Sequence, residues 1–298
     1  MRWELRYLFL LAAAIVLSSC GVLRVRNSPV YYAGPPTVPG YEPKGTVEEV
    51  MYPCSVPGPT ERRMIVYLPE GYYDSDKRYP VFYLLHGARG YETSWIRKGR
   101  MLQITDSLFA GGHAVPSIVV MPNVNQYDDD EDFENSRYKD AFESLFEIDG
   151  AVESAFKRDV VDFVDSHYRT IPDKSHRAVA GLSIGGLQSA FLSANFPDTF
   201  DYIGLFSPFV SMIPKPGKFN SFYMDLRHKL AKQFSAEPPQ EYYIMTGRWD
   251  IFRVHIYHYC RYLEHHGFPF KFISTPGGHD WPNWRYFYTK MMETVFRN

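Results

Sequence analysis

The chain has 298 residues, with 32 basic and 34 acidic side chains and a formal net charge of −2. This near balance gives no electrostatic reason for binding nucleic acid or an anionic membrane surface. No internal repeat is visible, and the length fits one compact domain behind an N-terminal segment.

The first residues carry the pattern of a bacterial signal peptide. Basic side chains precede an apolar run at residues 7–17, and the sequence Leu-Ser-Ser-Cys ends at Cys20. That ending resembles the lipobox of bacterial lipoproteins, which predicts a signal peptide over residues 1–19 and a lipid on Cys20. The alternative is an ordinary signal peptide with an incidental cysteine. The apolar run is too short to remain as a membrane-spanning helix. We therefore expect a lipid-anchored protein of the bacterial cell envelope, periplasmic or on the outer-membrane surface.

A tether and one folded domain are predicted to follow. Residues 20–44 are rich in Pro, Gly and Tyr and show no periodicity, which is typical of an extended linker. The domain is expected over residues 45–298. It opens with two antiparallel strands, at 46–54 and 62–68, separated by a Pro-Gly-Pro turn.

Strands then alternate with helices along the rest of the domain. The expected strands lie at 81–85, 117–121, 178–180, 242–245 and 270–273, and the expected helices at 101–109, 152–168 and 254–266. Such alternation predicts an α/β fold with a mostly parallel central sheet and helices on both faces.

The most informative motif is Gly-x-Ser-x-Gly at residues 181–185, centred on Ser183. It stands between a strand-like segment and a helix-like segment, as a nucleophile elbow requires. Glycines on both sides of the serine allow a tight turn, which lifts the hydroxyl above the sheet. A glycine-rich turn with an idle serine is the alternative.

A nucleophilic serine needs a general base, and His279 is the best candidate. It lies in a glycine loop directly after the last predicted strand. Five other histidines follow the serine. His228 comes before the strand expected at 242–245, and the other four fall in the predicted helix 254–266: His255, His258, His265 and His266. A loop histidine that merely caps backbone groups is the alternative for His279.

The acid that orients the base should follow the preceding strand, which favours Asp250. Asp201 and Asp225 come before that strand, and Asp280 is too close along the chain to face the ring of His279. Asp250 could instead cap the helix that follows it.

Two backbone N–H groups are expected to stabilise the anion formed during acyl transfer. Ile184 begins the helix after the serine. Ala88, with Gly87 as its rival, lies in a glycine-rich loop after an early strand. His86 is expected to order this loop through hydrogen bonds rather than to act as a base.

Aromatic residues make up 17% of the chain, and three tryptophans lie in or beside the predicted catalytic loops. Trp95, Trp281 and Trp284 are therefore candidates for stacking on a sugar or an aromatic acyl group. Ordinary core packing is the alternative for each.

The remaining chemistry-bearing residues predict no metal and no cofactor. The acidic run at 128–132 lacks the spacing and glycine of a calcium loop, and the histidines of helix 254–266 have no carboxylate ligand pattern beside them. Cys54 and Cys260 could form a disulfide, but two free thiols are favoured.

Five segments together resemble the esterase D-like family of α/β-hydrolases, which includes feruloyl esterases. The matching segments are Tyr-Leu-Leu-His-Gly at 83–87, Trp95, the strand at 118–123, residues 177–186 and Gly-Gly-His-Asp with two tryptophans at 277–284. The resemblance implies an α/β-hydrolase fold. It carries over Ser183, Asp250 and His279 as the triad, and the backbone of Ile184 and Ala88 as the oxyanion hole. One departure is Ala88, where many members have a larger aliphatic residue.

These features predict a serine carboxylesterase. The resemblance implies that its substrates are feruloyl or acetyl esters, with plant polysaccharides or oligosaccharides as the ester-bearing partners. Siderophore-ester hydrolysis and acyl transfer would use the same triad. A carbohydrate-binding lipoprotein with a vestigial site is the alternative of another class.

Overall fold

One central sheet organises the domain. The computed structural model describes residues 40–125, 148–210 and 220–297. The described part contains eight strands in the order β1-β2-β4-β3-β5-β6-β7-β8. Their bounds are Thr46–Pro53 (β1), Glu61–Leu68 (β2), Val81–Leu85 (β3), Ile118–Pro122 (β4), Arg177–Leu182 (β5), Tyr202–Phe206 (β6), Glu241–Gly247 (β7) and Lys271–Thr275 (β8).

The strand directions confirm a mostly parallel sheet. β1 and β2 are antiparallel, as predicted, and β2 is antiparallel to β4. All further pairs, from β4–β3 through β7–β8, are parallel. The carboxyl ends of β3 and β5 to β8 therefore meet at one edge, where the loops after parallel strands form ligand and catalytic sites.

Helices cover both faces of the sheet. Their bounds are Ser94–Arg97 (α1), Met101–Ala110 (α2), Ala151–Phe156 (α3), Asp162–His167 (α4), Ile184–Asn195 (α5), Leu226–Ala236 (α6), Arg253–His265 (α7) and Trp281–Met292 (α8). A π-helical turn, Lys157–Val161, joins α3 to α4.

Two separate apolar cores show which face each helix covers. Alternate residues of β3 belong to different cores: Tyr83 packs with side chains of α3 to α7, and Phe82 packs with α1, α2 and α8. Both side chains are fully buried. A parallel strand buried on both faces reads as a continuous apolar run in the sequence, which is why β3 is predictable.

β6 is the strand that sequence reasoning missed. It is only five residues long and has a glycine at its centre, two features that weaken a strand pattern. The glycine is required by packing, since a Cβ at Gly204 would lie 2.2 Å from the sulfur of Met291 and 2.8 Å from the Cβ of Ala180. A helix therefore presses directly on the sheet at this point.

The last residues of the predicted tether pack against the domain. The buried carboxylate of Asp106 accepts hydrogen bonds from the Tyr41 hydroxyl (2.6 Å), from the Lys44 N–H (2.8 Å) and from the Tyr67 hydroxyl. The predicted signal peptide, Cys20 and most of the tether lie outside the described residues. Within the described part of the chain, no helix is both long and apolar enough to cross a bilayer.

Candidate active site

Ser183 occupies a strained turn between β5 and α5. Its backbone has φ 55° and ψ −113°, a conformation that a residue with a side chain rarely adopts. The Ser183 N–H donates to the carbonyl oxygen of Phe206 (2.8 Å), which ties the turn to the end of β6. Such strain persists only where the surrounding structure holds it, and it is typical of functional sites.

The glycines that flank the serine are required by close packing. A Cβ at Gly181 would lie 2.5 Å from the carbonyl carbon of Gly185, and a Cβ at Gly185 would lie 2.3 Å from the carbonyl oxygen of His86. Contacts under 3.0 Å are not tolerated, so the loop after β3 and the start of α5 can meet only through glycine. The elbow and the oxyanion loop, residues 86–90, therefore pack as one unit.

The oxyanion loop lies directly against the serine. A Cβ at Gly87 would lie 3.3 Å from the Cβ of Ser183. The loop closes on itself through a hydrogen bond from Gly90 N–H to the Gly87 carbonyl (3.0 Å). Neither Ala88 nor Ile184 donates its N–H to a backbone group elsewhere in the described residues. Both predicted donors are thus placed beside the serine and available to a ligand.

His86 orders this loop, as predicted. Its Nδ1–H donates to the Gly87 carbonyl (2.9 Å), and its Nε2 accepts the N–H of Val124 (3.1 Å). Accepting a backbone N–H requires the ring to be neutral. Burial, only partly offset by the hydrogen bond to Gly87, lowers the pKa of His86 to about 4.

This buried ring predicts a loss of stability in mild acid. The unfolded chain protonates His86 near pH 6.5, whereas the folded chain does so only near pH 4. The free energy of unfolding should therefore fall between these values by up to about 1.4 kcal/mol per pH unit. Urea unfolding at several pH values would measure the slope.

A His86→Asn variant should show a shallower slope over the same pH range. The matched control is His265→Asn, since His265 is exposed at the end of α7 and this variant keeps the buried His86 in place. An identical slope in wild type and His86→Asn would contradict the assignment.

His279 and Asp250 form a buried pair. The Nδ1 atom of His279 lies 3.1 and 3.2 Å from the two carboxylate oxygens of Asp250. The two residues are 3% and 6% exposed. Burial alone would raise the pKa of Asp250, but the hydrogen bond and charge of His279, with weaker contributions from Ser207 and the Phe252 N–H, lower it below its ordinary value. Asp250 therefore stays ionised beside the ring.

Asp250 is not the N-cap of α7. The cap position is Phe252, without a side-chain cap, although one oxygen of Asp250 does accept the Phe252 N–H (2.9 Å). The carboxylate thus uses one backbone donor to fix its own orientation and faces the histidine with both oxygens.

The loops that carry the pair are joined to each other. The Trp249 N–H donates to the Gly277 carbonyl (2.8 Å). A Cβ at Gly247 would lie 2.5 Å from that same carbonyl oxygen, so no side chain fits between the loops. Asn283 adds a further connection within the second loop, since its Nδ2 donates to the Gly278 carbonyl (2.8 Å).

Aromatic rings hold the imidazole of His279 in place. Phe252 and Trp284 contact it edge to face, with ring centroids 4.9 and 5.0 Å away. Phe209 stacks on Phe252 at 4.4 Å, and its N–H donates to the carbonyl of Ser183 (3.2 Å). His279 is therefore linked through Phe252 and Phe209 to the turn that holds Ser183. The structure does not join the Ser183 hydroxyl to His279 by a hydrogen bond, a contact that is often long without substrate.

The structure corrects the substrate-binding hypothesis for two tryptophans. Trp95 is fully buried and donates its indole N–H to the Leu85 carbonyl (2.9 Å), and Trp284 is 4% exposed against His279. Trp281 is half-buried between them, 5.4 and 5.2 Å from their rings. Trp95 and Trp284 therefore have little surface left for a ligand, and the three rings together form a support beneath His279.

Sequence reasoning missed three residues that support the site. Asn125 Nδ2 donates to the carbonyl of Gly90 (2.9 Å) and so holds the far end of the oxyanion loop. Asn283 and Phe252 fix His279. The repeated asparagine in Pro-Asn-Val-Asn after β4 was the available signal for the first of these.

Cys54 and Cys260 are free thiols, the favoured alternative. Burial raises the pKa of Cys260 to about 12. The acidic run at 128–132 lies outside the described residues. His258 and His265 are exposed on α7, in agreement with a polar helix face.

Comparison with known families gives a decisive match. Residues 57–245, well over half of the chain, match the model of the family described as "Putative esterase". The chain belongs to this esterase family. The structure agrees with that membership, because a ferulic acid esterase from the anaerobic fungus Anaeromyces mucronatus has a similar fold, with a TM-score of 0.66 and 25% identity over 88% of this chain and 94% of the other. The esterase domain therefore has the predicted α/β-hydrolase fold.

Curated relatives are larger proteins. The chain is 36% identical over 147 residues to an endo-1,4-beta-xylanase/feruloyl esterase of Xylanibacter ruminicola, which covers 48% of this chain and 19% of that protein. It is 30% identical over 154 residues to endo-1,4-beta-xylanase Y of Acetivibrio thermocellus, covering 48% and 12%. The esterase domain thus matches less than a fifth of either relative.

Proposed function

We propose that this protein is a serine carboxylesterase with Ser183 as nucleophile, His279 as general base and Asp250 as the acid that orients the base. The buried His279–Asp250 pair beside the strained serine turn carries this proposal. A histidine that donates Nδ1–H to an ionised carboxylate presents a basic Nε2 on its other side.

The reaction follows from these positions. His279 Nε2 takes the proton of the Ser183 hydroxyl as its oxygen attacks the ester carbonyl carbon. The N–H groups of Ile184 and Ala88 donate to the resulting oxyanion. The bond to the alcohol then breaks, and His279 returns the proton to the leaving oxygen. Water, deprotonated by His279, then attacks the acyl carbon. The bond to Ser183 Oγ breaks, His279 returns the proton to that oxygen, and the carboxylic acid is released.

The proposed substrates are feruloyl or acetyl esters on plant polysaccharides or oligosaccharides. The name of one curated relative combines xylanase with feruloyl esterase, and the other relative is named as a xylanase, which supports this class. We place the enzyme on the bacterial cell envelope, held by a lipid on Cys20, because the N-terminal sequence has the pattern of a lipoprotein signal.

Two measurements test the function. Initial rates on p-nitrophenyl acetate, methyl ferulate and acetylated xylan should show turnover, and the preferred substrate separates feruloyl from acetyl specificity. A fluorophosphonate should stop turnover by phosphonylating Ser183 with loss of fluoride, which adds the mass of the phosphonyl group to the peptide that contains Ser183. Absence of both turnover and adduct would contradict the proposal. An ester product formed on an added sugar would identify a transferase instead.

Asn125 should contribute to catalysis by holding the oxyanion loop. We expect Asn125→Ala to lower kcat about 10-fold with little change in KM, because a looser Gly90 misplaces the Ala88 N–H and loses part of the 100- to 1,000-fold that one such donor contributes. Steady-state kinetics on methyl ferulate would measure both constants.

The matched control is Asn195→Ala. The Asn195 amide also donates to two carbonyl oxygens, those of Phe191 (2.8 Å) and Phe222 (3.0 Å), but it lies at the far end of α5. It should lower the melting temperature without lowering kcat. An equal loss of kcat in both variants would show a general effect on folding.

A further inference from the structure

Trp249 is a large apolar side chain that stays exposed to solvent beside the site. It is 74% exposed, more than any other large apolar residue that the structure describes. The other three described tryptophans, by contrast, are packed in the support beneath His279. An exposed indole is a sizeable apolar surface whose burial by a ligand is favourable.

The backbone of Trp249 is fixed relative to the catalytic base. Its N–H donates to the Gly277 carbonyl, two residues before His279, and its own carbonyl packs near Gly278. The next residue is Asp250. Trp249 is thus presented by a rigid loop beside the acid–base pair.

The order of the strands decides which part of an ester would reach Trp249. Along the catalytic edge, the oxyanion loop follows β3, Ser183 follows β5, and the loops of Asp250 and His279 follow β7 and β8. Trp249 therefore lies on the opposite side of the serine from the oxyanion loop. The leaving oxygen must be on this side, because His279 protonates it.

We infer that Trp249 forms a saccharide-binding subsite for the alcohol part of the ester, with a sugar ring stacked on its indole. The apolar face of a sugar fits an exposed aromatic ring, and the exposed Arg248 beside it supplies donors for sugar hydroxyl oxygens. This inference rests on the proposed esterase function and specifies its leaving-group side.

The test compares two substrates that share the acyl group, methyl ferulate and a feruloylated arabinoxylan oligosaccharide. The kcat/KM for the oligosaccharide ester divided by that for methyl ferulate should fall about 10-fold in Trp249→Ala, which is the effect of losing one stacked ring. Trp249→Phe should retain most of the ratio. The matched control is Tyr73→Ala, which should leave the ratio unchanged. Tyr73 is an exposed aromatic residue that follows β2, and because β2 is antiparallel to β4, it lies at the end of the sheet away from Ser183.

An unchanged ratio in Trp249→Ala would overturn the subsite. So would an equal loss on both substrates, which would instead indicate damage to the Asp250 loop.

A binding measurement separates this inference from the proposed function. Titrating the Ser183→Ala variant with unesterified arabinoxylan oligosaccharide should change its tryptophan fluorescence. The same titration of a double variant with Ser183→Ala and Trp249→Phe should show no such change. If wild type hydrolyses no ester, the function fails while the titration still decides the subsite. No fluorescence change and no binding by calorimetry would overturn it.

Discussion

Replacing Ser183 with alanine is expected to lower kcat on methyl ferulate or p-nitrophenyl acetate by about 10⁶-fold, the scale seen when a serine nucleophile is lost. The covalent step disappears with the hydroxyl, and what remains is stabilisation of the oxyanion by Ile184 and Ala88. Because the hydroxyl of Ser183 forms no hydrogen bond within the described site, its removal should not destabilise the fold. Initial rates and thermal unfolding of the same preparation would test both expectations.

Ser189→Ala is the matched control. Ser189 lies on α5 and is fully buried, but its hydroxyl donates to the Gly185 carbonyl (2.7 Å) instead of facing the site. This variant should lose some stability and keep its kcat within a few-fold of wild type. A Ser183→Ala enzyme with more than about 1% of wild-type activity would exclude Ser183 as the nucleophile.

Replacing Asp250 with asparagine is expected to lower kcat by about 10⁴-fold, as found for the equivalent change in another serine hydrolase. The amide keeps the shape of the side chain, but its NH₂ group would favour the His279 tautomer with the proton on Nε2. That tautomer cannot accept the proton of Ser183. Comparing kcat from pH 5 to 9 would measure the loss.

Asp280→Asn provides the control for Asp250. Asp280 is the neighbouring carboxylate, and its side chain caps α8 by accepting the Asn283 N–H (3.2 Å). Asparagine is an equally good N-cap, so activity and stability should change little. A larger loss of kcat in Asp280→Asn than in Asp250→Asn would identify Asp280, and not Asp250, as the acid that orients His279.

Stability of the Asp250 variant should also respond differently to acid. The depressed pKa of Asp250 stabilises the folded state above the ordinary carboxyl pKa of 3.8, and this contribution is lost as the pH falls below that value. Asp250→Asn lacks a titrating group here, so its acid-side loss should be smaller.

The positions of the three proposed catalytic residues were predictable because their signals are local and ordered along the chain. Ser183 lies in a short motif between a strand and a helix, and Asp250 and His279 each follow a recognisable strand. The exposure of a tryptophan, in contrast, depends on contacts from distant elements. The sequence favoured Trp284 and not Trp249 as a stacking residue, yet Trp284 is buried against His279 and Trp249 is exposed.

β6 shows a different reason for a missed prediction. Its central Gly204 makes the segment resemble a turn, whereas the glycine is needed because Met291 of α8 presses on the strand. Sequence periodicity cannot reveal a partner that lies 87 positions away. The contact between Phe252 and His279 was missed because Phe252 looks like an ordinary apolar residue near a helix start, and its partner is distant in the sequence.

The close contact of Gly185 with His86 has a consequence for how this enzyme could acquire new substrates. No side chain separates the serine turn from the oxyanion loop, so neither can be altered without displacing the other. We therefore expect selection for a new ester to act elsewhere, on exposed residues beside the site such as Trp249. We expect the serine turn and the oxyanion loop to change only together, whereas the surrounding surface can change independently of them.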